Sequence, residues 1–369
     1  MTTATHSRPG SSRAGGPTRA AEPTAARPSP ERCARRRLSL AGLAVATLVL
    51  VGCGAGTAAD GRATGANGPG GTEMQAVPAV ADGADPVLPI TVDSADGRSV
   101  TVTDVSRIVV LQGNIAEVTF ALGLGDNVVG RDISATFDEA ADVPLVTRAH
   151  DVSAESVLSL RPTVVLADTD TGPPEAIEHV RNVGVPLVVF DTATRVDQIG
   201  PRIEAVATAL GVGPAGAALA AETDQALAEV TRTIGTDNRP SVAFLYMRGQ
   251  AGVYLLGGEG SGADSMIETA GGTDAGTAIG LDQAFTPITS EALVLAAPDI
   301  ILMTTTGLES VGGIDGLVQI PGIGQTPAGQ NRRVVTVEDG LLYSFGVRTP
   351  DALRALADQL RAVPDAARP

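Results

Sequence analysis

The chain has 369 residues and a formal net charge of −16, from 26 basic and 42 acidic residues. Such an acidic surface repels nucleic acid, which excludes a general nucleic-acid-binding role. All of the basic residues are arginines, and the lack of lysine in the sequence excludes P-loop nucleotide hydrolysis and Schiff-base catalysis, which both need a lysine amine.

The first 53 residues have the pattern of a secretory signal that ends in a lipobox. Arg35, Arg36 and Arg37 precede a short apolar stretch from Leu38 to Gly52, which ends in Leu50-Val51-Gly52-Cys53. The stretch is short for a membrane-spanning helix, and this order of segments is typical of a cleaved bacterial signal. We therefore expect cleavage before Cys53, lipidation of Cys53 and attachment to the outer face of the cytoplasmic membrane.

The segment after the signal predicts a tether followed by a large folded body. Residues 54–85 consist mainly of Gly, Ala, Thr and Asp, which favours a flexible linker. Cleavage would remove Cys33 and leave Cys53 as the single cysteine, so an intramolecular disulfide is excluded. Residues 1–52 hold eight arginines and two acidic residues, which leaves 18 basic and 40 acidic residues, a net charge of −22. The remaining length suffices for two lobes of ordinary size.

The folded part begins with a predicted hairpin, followed by a series of buried strands. Strands at Ile90–Val92 and Val100–Val102 flank an Asp96-Gly97 turn. Short runs of Val, Ile and Leu then alternate with helical stretches, which is typical of parallel strands buried on both faces. The predicted core strands are Arg107–Leu111, Asn127–Gly130, Thr163–Ala167, Pro186–Phe190, Ser241–Tyr246, Gly252–Leu256, Asp299–Met303 and Arg333–Val337.

An internal repeat predicts two similar lobes. The segments that begin at Glu155 and at Glu291 each hold a short helix, a proline-bearing turn and a buried strand, with seven residues from Glu to Pro. Between them, Ala215–Thr233 predicts one long connecting helix, because Ala, Leu and Glu are strong helix formers. The predicted organisation is an N-terminal α/β lobe at 86–212, a connecting helix at 213–236 and a C-terminal α/β lobe at 237–369, with only slight hinging.

Enzyme constellations are hard to find in this sequence. It has three histidines, no His-x-x-x-His or Cys cluster for a metal, and no Gly-x-Ser-x-Gly elbow. His179 lies on a predicted amphipathic helix and is expected at the surface. The glycine-rich loop Gly257–Gly262 lies between a strand and a helix, where a tight turn is favoured over an anion cradle.

Two places hold candidate ligand residues. His150 lies in a loop just before a predicted helix start, where a lone histidine is more often structural or solvated than a ligand. Tyr246 and Arg248 end a predicted parallel strand, and two residues at this spacing project to one side of the sheet. Ligands of α/β proteins bind at the carboxyl ends of parallel strands. The residues themselves leave open a ligand site, or a Tyr246 packed on a neighbouring helix beside a solvated Arg248.

Five stretches carry a family resemblance: Ile115–Gly125, Asp151–Pro162, Tyr254–Met266, Gly307–Gly313 and Thr326–Asn331. From Arg107 to about Leu360, the sequence resembles the haem-binding lipoproteins of bacterial ABC-type haem importers, within the iron-chelate and cobalamin substrate-binding family. The resemblance implies an α/β fold of the class III substrate-binding type, two Rossmann-like lobes with parallel sheets joined by one long helix. It also implies a monomeric receptor, not an enzyme, that captures ferric haem b between its lobes and delivers it to the permease subunits of an ABC importer.

The resemblance implies roles for individual residues. In haem-binding relatives, a His of the first lobe and a Tyr of the second lobe bind the iron from opposite faces, which corresponds to His150 and Tyr246. Arg248 matches the arginine that supports the tyrosine. A free phenol has a pKa of about 10, but Fe(III) and a neighbouring guanidinium both favour the phenolate, which in turn favours ferric haem. Met303 is a candidate substitute ligand, with core packing as its favoured role.

Relatives also use one acidic residue in each lobe to dock on arginines of the permease. By position, these residues are Glu155 and Glu268. The repeat partner Glu291 leaves open a simpler role for Glu155, an acidic residue at a helix N-terminus. Glu268 has no such internal counterpart, so docking is favoured there.

Three other functions remain as alternatives. A receptor of the same architecture could carry a ferric siderophore or a corrinoid, although siderophore sites use arginine clusters and need no paired His and Tyr. An anchored haem-handling enzyme would need an open iron position, and a surface adhesion module is disfavoured by the buried strands. Because only 2% of the residues are aromatic, we expect aliphatic walls of Leu, Val and Met around a porphyrin.

Overall fold

A computed structural model of the chain describes residues 76–78, 84–148, 151–235 and 239–363. The predicted signal, Cys53, most of the predicted tether and His150 lie outside the described residues. The described residues all belong to one unit, residues 64–369. Within these ranges, every helix is too short or too polar to cross a membrane.

The N-terminal lobe is built on a parallel sheet, as the uninterrupted apolar runs predict. Its elements are β1 (Ile90–Asp93), β2 (Ser99–Val102), β3 (Ile108–Val110), α1 (Gly113–Ala121), β4 (Val128–Arg131), β5 (Thr147–Arg148), β6 (Asp151–Val152), α2 (Ala154–Ser159), β7 (Val164–Asp168), α3 (Pro174–Asn182), β8 (Leu187–Phe190) and α4 (Ile199–Ala209). The sheet has the order β4-β3-β7-β8, with all neighbours parallel. The first two strands form the predicted antiparallel hairpin.

The C-terminal lobe follows the long helix α5 (Gly213–Thr233), which confirms the predicted connecting helix. Its elements are β9 (Ser241–Arg248), β10 (Val253–Gly257), α6 (Ala263–Thr269), β11 (Thr273–Asp274), α7 (Ala275–Ala278), β12 (Phe285–Pro287), α8 (Ser290–Ala296), β13 (Ile300–Thr304), α9 (Thr305–Ser310), α10 (Gly313–Leu317), α11 (Pro327–Gln330), β14 (Val334–Val337), α12 (Asp339–Leu342) and α13 (Thr349–Ala362). The sheet order is β12-β10-β9-β13-β14, and β11 pairs with β9 outside this path.

The second sheet is mixed: its central strands are parallel, as predicted, but two strands at one edge are antiparallel. β9, β13 and β14 are parallel, but β10 is antiparallel to β9 and β12 is antiparallel to β10. The chain reverses within the short turn Gly249–Ala251, and Gly252 then adopts a positive φ of 68°. Such a turn permits only an antiparallel partner, because a parallel connection needs a dozen or more residues.

The predicted internal repeat is present in both lobes. α2 and α8 begin at hydroxyl N-caps, where Ser153 and Thr289 accept hydrogen bonds from backbone N–H groups one turn further on. After each helix comes a residue with positive φ, Arg161 at 49° and Ala297 at 39°, directly before the repeat proline. Each turn then leads into a fully buried strand, β7 or β13.

One apolar core runs through both lobes. It combines residues of the first sheet, such as Val110, with Leu219 of α5 and Phe244 of the second sheet. Two smaller clusters cover the outer faces of the two sheets. Because the close-packed core is shared, large relative movements of the lobes would expose apolar surface.

A buried ion pair joins the lobes beside this core. Nε and Nη2 of Arg348, the residue before α13, donate to Oε1 of Glu117 in α1 at 3.0 and 2.6 Å. The side chains are 1% and 0% exposed. The Arg348 guanidinium carbon also lies 5.3 Å from the ring centroid of Phe137. Burial raises the pKa of the Glu117 carboxyl, while the charge and hydrogen bonds of Arg348 act against that increase.

Replacing Glu117 with Gln should lower the free energy of unfolding by about 3–5 kcal/mol, because Arg348 would remain buried without a counter-charge. The double variant Glu117→Leu/Arg348→Met should regain much of this loss, since an apolar pair needs no compensation. Urea unfolding followed by circular dichroism measures the effect, and exposed Glu155→Gln is the control. A loss within 0.5 kcal/mol of that control would show that the pair does not hold the lobes together.

A second buried ion pair fixes α4 against the carboxyl end of β7. Arg202 contacts Asp168, and their side chains are 4% and 3% exposed. Nη1 of Arg202 also donates to the carbonyl oxygen of Asp191 at 2.5 Å. Burial raises the pKa of Asp168 to about 6, although Arg202 favours its charged form. Between the ordinary value of 3.8 and 6, the folded chain binds this proton more tightly than the unfolded chain, so stability falls as the pH rises.

The variant Asp168→Asn should lack this part of the pH dependence. Relative to the variant, the wild-type protein should lose about 3 kcal/mol of unfolding free energy as the pH rises through this window. Urea unfolding of both proteins at several pH values measures the difference, in which the contributions of other titrating groups cancel. A difference that does not change with pH would contradict the raised pKa.

Candidate ligand-binding site

A cavity of about 1160 Å³ is lined by residues of both lobes. On the N-terminal side, all four parallel strands contribute at their carboxyl ends: Asp168 ends β7, while Gln112, Ile133 and Thr192 follow β3, β4 and β8. This edge is where α/β sheets present ligand sites, because the chain leaves each strand there and the loops diverge. The topology therefore makes this cavity the candidate site.

Tyr246 and Arg248 lie side by side on the C-terminal wall of the cavity. Their spacing of two on β9 places both on one face of the sheet, and the Arg248 guanidinium carbon is 4.7 Å from the centroid of the Tyr246 ring. Nη2 of Arg248 donates to Oδ1 of Asp339 at 2.8 Å, and Nη1 donates to the carbonyl oxygen of Met247 at 3.0 Å. Arg248 is therefore held in place, with its positive charge against the ring of Tyr246.

Besides Tyr246, the cavity collects three aromatic side chains that sequence reasoning missed. Four of the nine aromatic residues of the chain line it: Tyr246, Phe285, Tyr343 and Phe345. The ring centroids of Tyr246 and Phe285 are 5.7 Å apart, and Phe244 lies edge-on to Phe285 and to Tyr343. The expectation of aliphatic walls was therefore wrong. No local motif marks these positions, because they meet only when β9, β12 and the segment after β14 come together.

Tyr343 adds a neutral hydroxyl to this wall. Burial raises its pKa well above the ordinary value, and the proximity of Tyr246 and Asp339 raises it further. Its hydroxyl oxygen is buried and finds no hydrogen-bond partner among the described residues. Tyr343 thus remains protonated beside Tyr246.

Carboxylates dominate the charge of the cavity. Among the described lining residues, Arg248 is the one cation, whereas Asp168, Asp170, Glu338 and Asp339 are acidic. Two of the four carboxylates are neutralised by arginines through the ion pairs already described. Long-range attraction of an anionic ligand is therefore weak, and binding must depend on short-range contacts and specific bonds.

His150 cannot be placed relative to this cavity, because residues 149 and 150 lie outside the described part of the chain. The flanking strands β5 and β6 pair with each other. Oγ1 of Thr147 accepts a hydrogen bond from the backbone N–H of Ile133 at 3.1 Å, and Ile133 lines the cavity. The assignment of His150 as a ligand stays a prediction.

Met303 is placed in the core and not in the cavity. Its side chain is fully buried among residues such as Leu245 and Leu293, on one face of the second sheet. Tyr246 packs against the core cluster on the other face. The structure therefore does not bring Met303 to Tyr246, and its burial supports the packing role that the sequence favoured.

The two candidate docking residues both lie at the surface. Glu155 is exposed in the first turn of α2, where it also complements the helix dipole. Glu268 is exposed near the end of α6, and Arg239 donates to its carboxylate at 3.3 Å. The ion pair of Glu268 is exposed on both sides, so it contributes little to stability.

The glycine-rich loop forms a turn at the cavity wall. Gly260 and Gly262 both have φ of 82°. The backbone N–H of Gly260 donates to Oδ2 of Asp264 in α6 at 2.8 Å. This donor is thus bound by a carboxylate of the protein itself, which agrees with the favoured prediction of a tight turn.

Comparisons with known proteins agree with this architecture. Residues 108–340 match the family described as "Periplasmic binding protein". An uncharacterized ABC transporter substrate-binding lipoprotein of Bacillus subtilis (strain 168) is 28% identical over 284 residues, which cover 74% of this chain and 86% of the relative. A vitamin B12-binding protein of Vibrio cholerae is 26% identical over 152 residues, 41% of this chain, and the match spans about half of that relative, 54%.

Among solved structures, the heme binding protein HmuT is similar to this chain, with a TM-score of 0.74 and 37% sequence identity. The superposition covers 79% of this chain and 96% of that protein. Similar structures also include variants of HmuT in which one His, one Tyr or one Arg is replaced by Ala.

The matched family consists of binding components of transporters, so the prediction of a receptor without enzymatic activity is confirmed. The family match extends over both lobes and over most of the cavity wall, including Tyr246, Arg248 and Asp339. The two-lobed α/β fold, the long connecting helix and the family match agree, and this chain belongs to the periplasmic binding protein family.

Proposed function

We propose that this protein is a lipid-anchored receptor that binds ferric haem in the cavity between its lobes and delivers it to an ABC importer. The observation that carries the proposal is the Tyr246–Arg248 pair on the cavity wall, with the guanidinium 4.7 Å from the ring centroid. In the HmuT variants, the replaced Tyr and Arg are also two positions apart. That protein is named as heme-binding, and its match to this chain supports the same cargo here.

Tyr246 is the proposed iron ligand of the second lobe, and His150 that of the first. A phenolate is a hard anionic donor that favours ferric over ferrous iron, and imidazole is the commonest axial ligand of haem. Arg248 supports Tyr246 because its positive charge lies against the ring and would stabilise an iron-bound phenolate. Binding between two lobes would make haem capture depend on both.

The volume and walls of the cavity suit a large and mostly apolar ligand. Its volume of about 1160 Å³ lies above the range of ordinary small-molecule pockets, about 300–1,000 Å³. Phe285 is more than one-third exposed and presents its ring to the cavity, next to Tyr246. We propose that apolar contact and iron bonds retain the haem, since Arg248 is already paired with Asp339.

The remaining parts of the proposal concern location and partners. Cys53 is the proposed lipid attachment site at the outer face of the cytoplasmic membrane. The proposed division is an 86–212 lobe, a 213–236 connecting helix and a 237–369 lobe in a monomer. Glu155 and Glu268 are the proposed docking residues for the permease.

Replacing Tyr246 with Phe should weaken the binding of ferric haem at least tenfold and abolish the phenolate-to-iron absorption, because only the ligand oxygen is lost. His150→Ala should cause a smaller loss. Hemin titration followed by visible absorption measures both, and wild-type protein should saturate at one haem per chain.

Tyr254→Phe is the matched control, because it removes the same atom from a tyrosine that packs against the apolar cluster on the outer face of the second sheet. Unchanged affinity and spectrum in Tyr246→Phe would refute the ligand assignment. If wild-type protein binds no hemin but binds cyanocobalamin or a ferric siderophore, the cargo is wrong and the receptor role remains.

Replacing Glu155 or Glu268 with Ala should reduce the ability of the haem-loaded protein to stimulate ATP hydrolysis by its reconstituted importer, several-fold for each and more for both. Hemin affinity should stay unchanged, since neither residue lines the cavity. Glu291→Ala is the matched control, because Glu291 occupies the same first-turn position in the other copy of the repeat. Equal stimulation by all variants would contradict the docking role.

A further inference from the structure

We infer that Asp339 is a positioning residue of the haem site, which holds the Arg248 guanidinium against Tyr246 and so strengthens the bond from Tyr246 to iron. The inference rests on the proposed function of the same cavity. It adds a residue that no local feature of β9 marks, since Asp339 lies 91 residues after Arg248 in the chain.

Asp339 is itself rigidly held. It is the first residue of α12, and one residue separates it from the end of β14. Oδ1 accepts a hydrogen bond from Nη2 of Arg248 at 2.8 Å and another from Oγ1 of Thr306 at 2.6 Å. Oδ2 accepts a third from the backbone N–H of Thr306 at 3.2 Å. Two bonds from the start of α9 thus orient the carboxylate toward β9.

Arg248 needs such a partner. An arginine side chain has several rotatable bonds, and this one projects from a strand end into a cavity. Asp339 holds one guanidinium nitrogen while the carbonyl oxygen of Met247 holds another. Two held nitrogens and the covalent link through Nε together fix the plane of the guanidinium, so it stays over the Tyr246 ring, 4.7 Å from its centroid.

The Asp339 carboxylate has two opposite effects on Tyr246. The direction in which haem affinity changes after substitution therefore shows which effect is larger. Its negative charge weakens the positive field of Arg248 at the phenol, so removal of the charge alone should strengthen phenolate binding. Its hydrogen bond keeps Arg248 in position, so loss of that bond should weaken phenolate binding. The effect on position dominates, because a guanidinium displaced beyond about 6 Å no longer interacts strongly with the ring.

Glu338 provides a matched control. It is the preceding residue, lines the same cavity and carries the same charge. Its Oε2 accepts a hydrogen bond from Oγ1 of Thr136 at 3.2 Å, across the cavity in the first lobe. Glu338→Gln therefore removes one negative charge from the cavity without removing the carboxylate that contacts Arg248.

The test compares Asp339→Asn with Glu338→Gln in hemin titrations and in the intensity of the phenolate-to-iron absorption. Asp339→Asn should bind ferric haem about tenfold more weakly, the size expected for one charge-assisted hydrogen bond, and its phenolate absorption should decrease. Glu338→Gln removes a negative charge from the cavity and keeps an amide oxygen that can accept from Thr136, so its effect should have the opposite sign and ferric haem should bind more tightly. In an Arg248→Ala background, Asp339→Asn should cause no further loss of affinity, because Asp339 supports binding only through Arg248.

Two outcomes overturn the inference while the proposed function stands. In one, wild-type protein binds haem with the phenolate signature, but Asp339→Asn behaves like Glu338→Gln. In the other, Asp339→Asn weakens binding equally with and without Arg248. If Asp339→Asn does not fold, Thr306→Val removes one of the bonds that orient Asp339, and a smaller loss in the same direction is expected. No loss in that variant would also overturn the inference.

Discussion

Binding one ligand from two lobes requires that the two walls of the cavity keep a fixed separation. The buried pair of Glu117 and Arg348 sets this separation, because it joins a helix of the first lobe to the segment that follows the second sheet. A hydrogen bond between Thr136 of the first lobe and Glu338 of the second also joins the lobes, at the wall of the cavity. The apolar core that both lobes share also holds them together. The structure therefore resists opening at three points, and opening would leave two buried charges without partners.

The segment between β14 and α13 connects this constraint to the chemistry of the site. Within residues 338–348 it carries Asp339, which orients Arg248, then Tyr343 in the aromatic wall, and finally Arg348 in the interlobe ion pair. On the proposed function, an importer that separates the lobes would pull on the same segment that supports the tyrosine ligand. Loss of the first-lobe ligand and loosening of the second would then occur together, which couples release of the cargo to docking.

Much of the fold could be predicted from sequence because its signals are local. Uninterrupted apolar runs mark the buried strands, and an Ala-rich stretch without proline after its start marks α5. Tyr246 and Arg248 were found because strand geometry itself places residues two apart on one side. The direction of β10 was missed, since it depends on a short turn and not on apolar periodicity. Phe285, Tyr343 and the Glu117–Arg348 pair were missed because their partners lie far away in the chain, 231 residues apart for the ion pair.

On the proposed function, Tyr246 binds the iron of a haem that lies between the two lobes. A crystal structure of the protein grown with hemin would show this bond or its absence. Haem should lie in the cavity, with the Tyr246 phenolate oxygen bonded to the iron, Arg248 still paired with Asp339, and Phe285 in contact with the porphyrin. Haem bound at another surface, or haem in the cavity with Tyr246 turned away from the iron, would refute the proposed function.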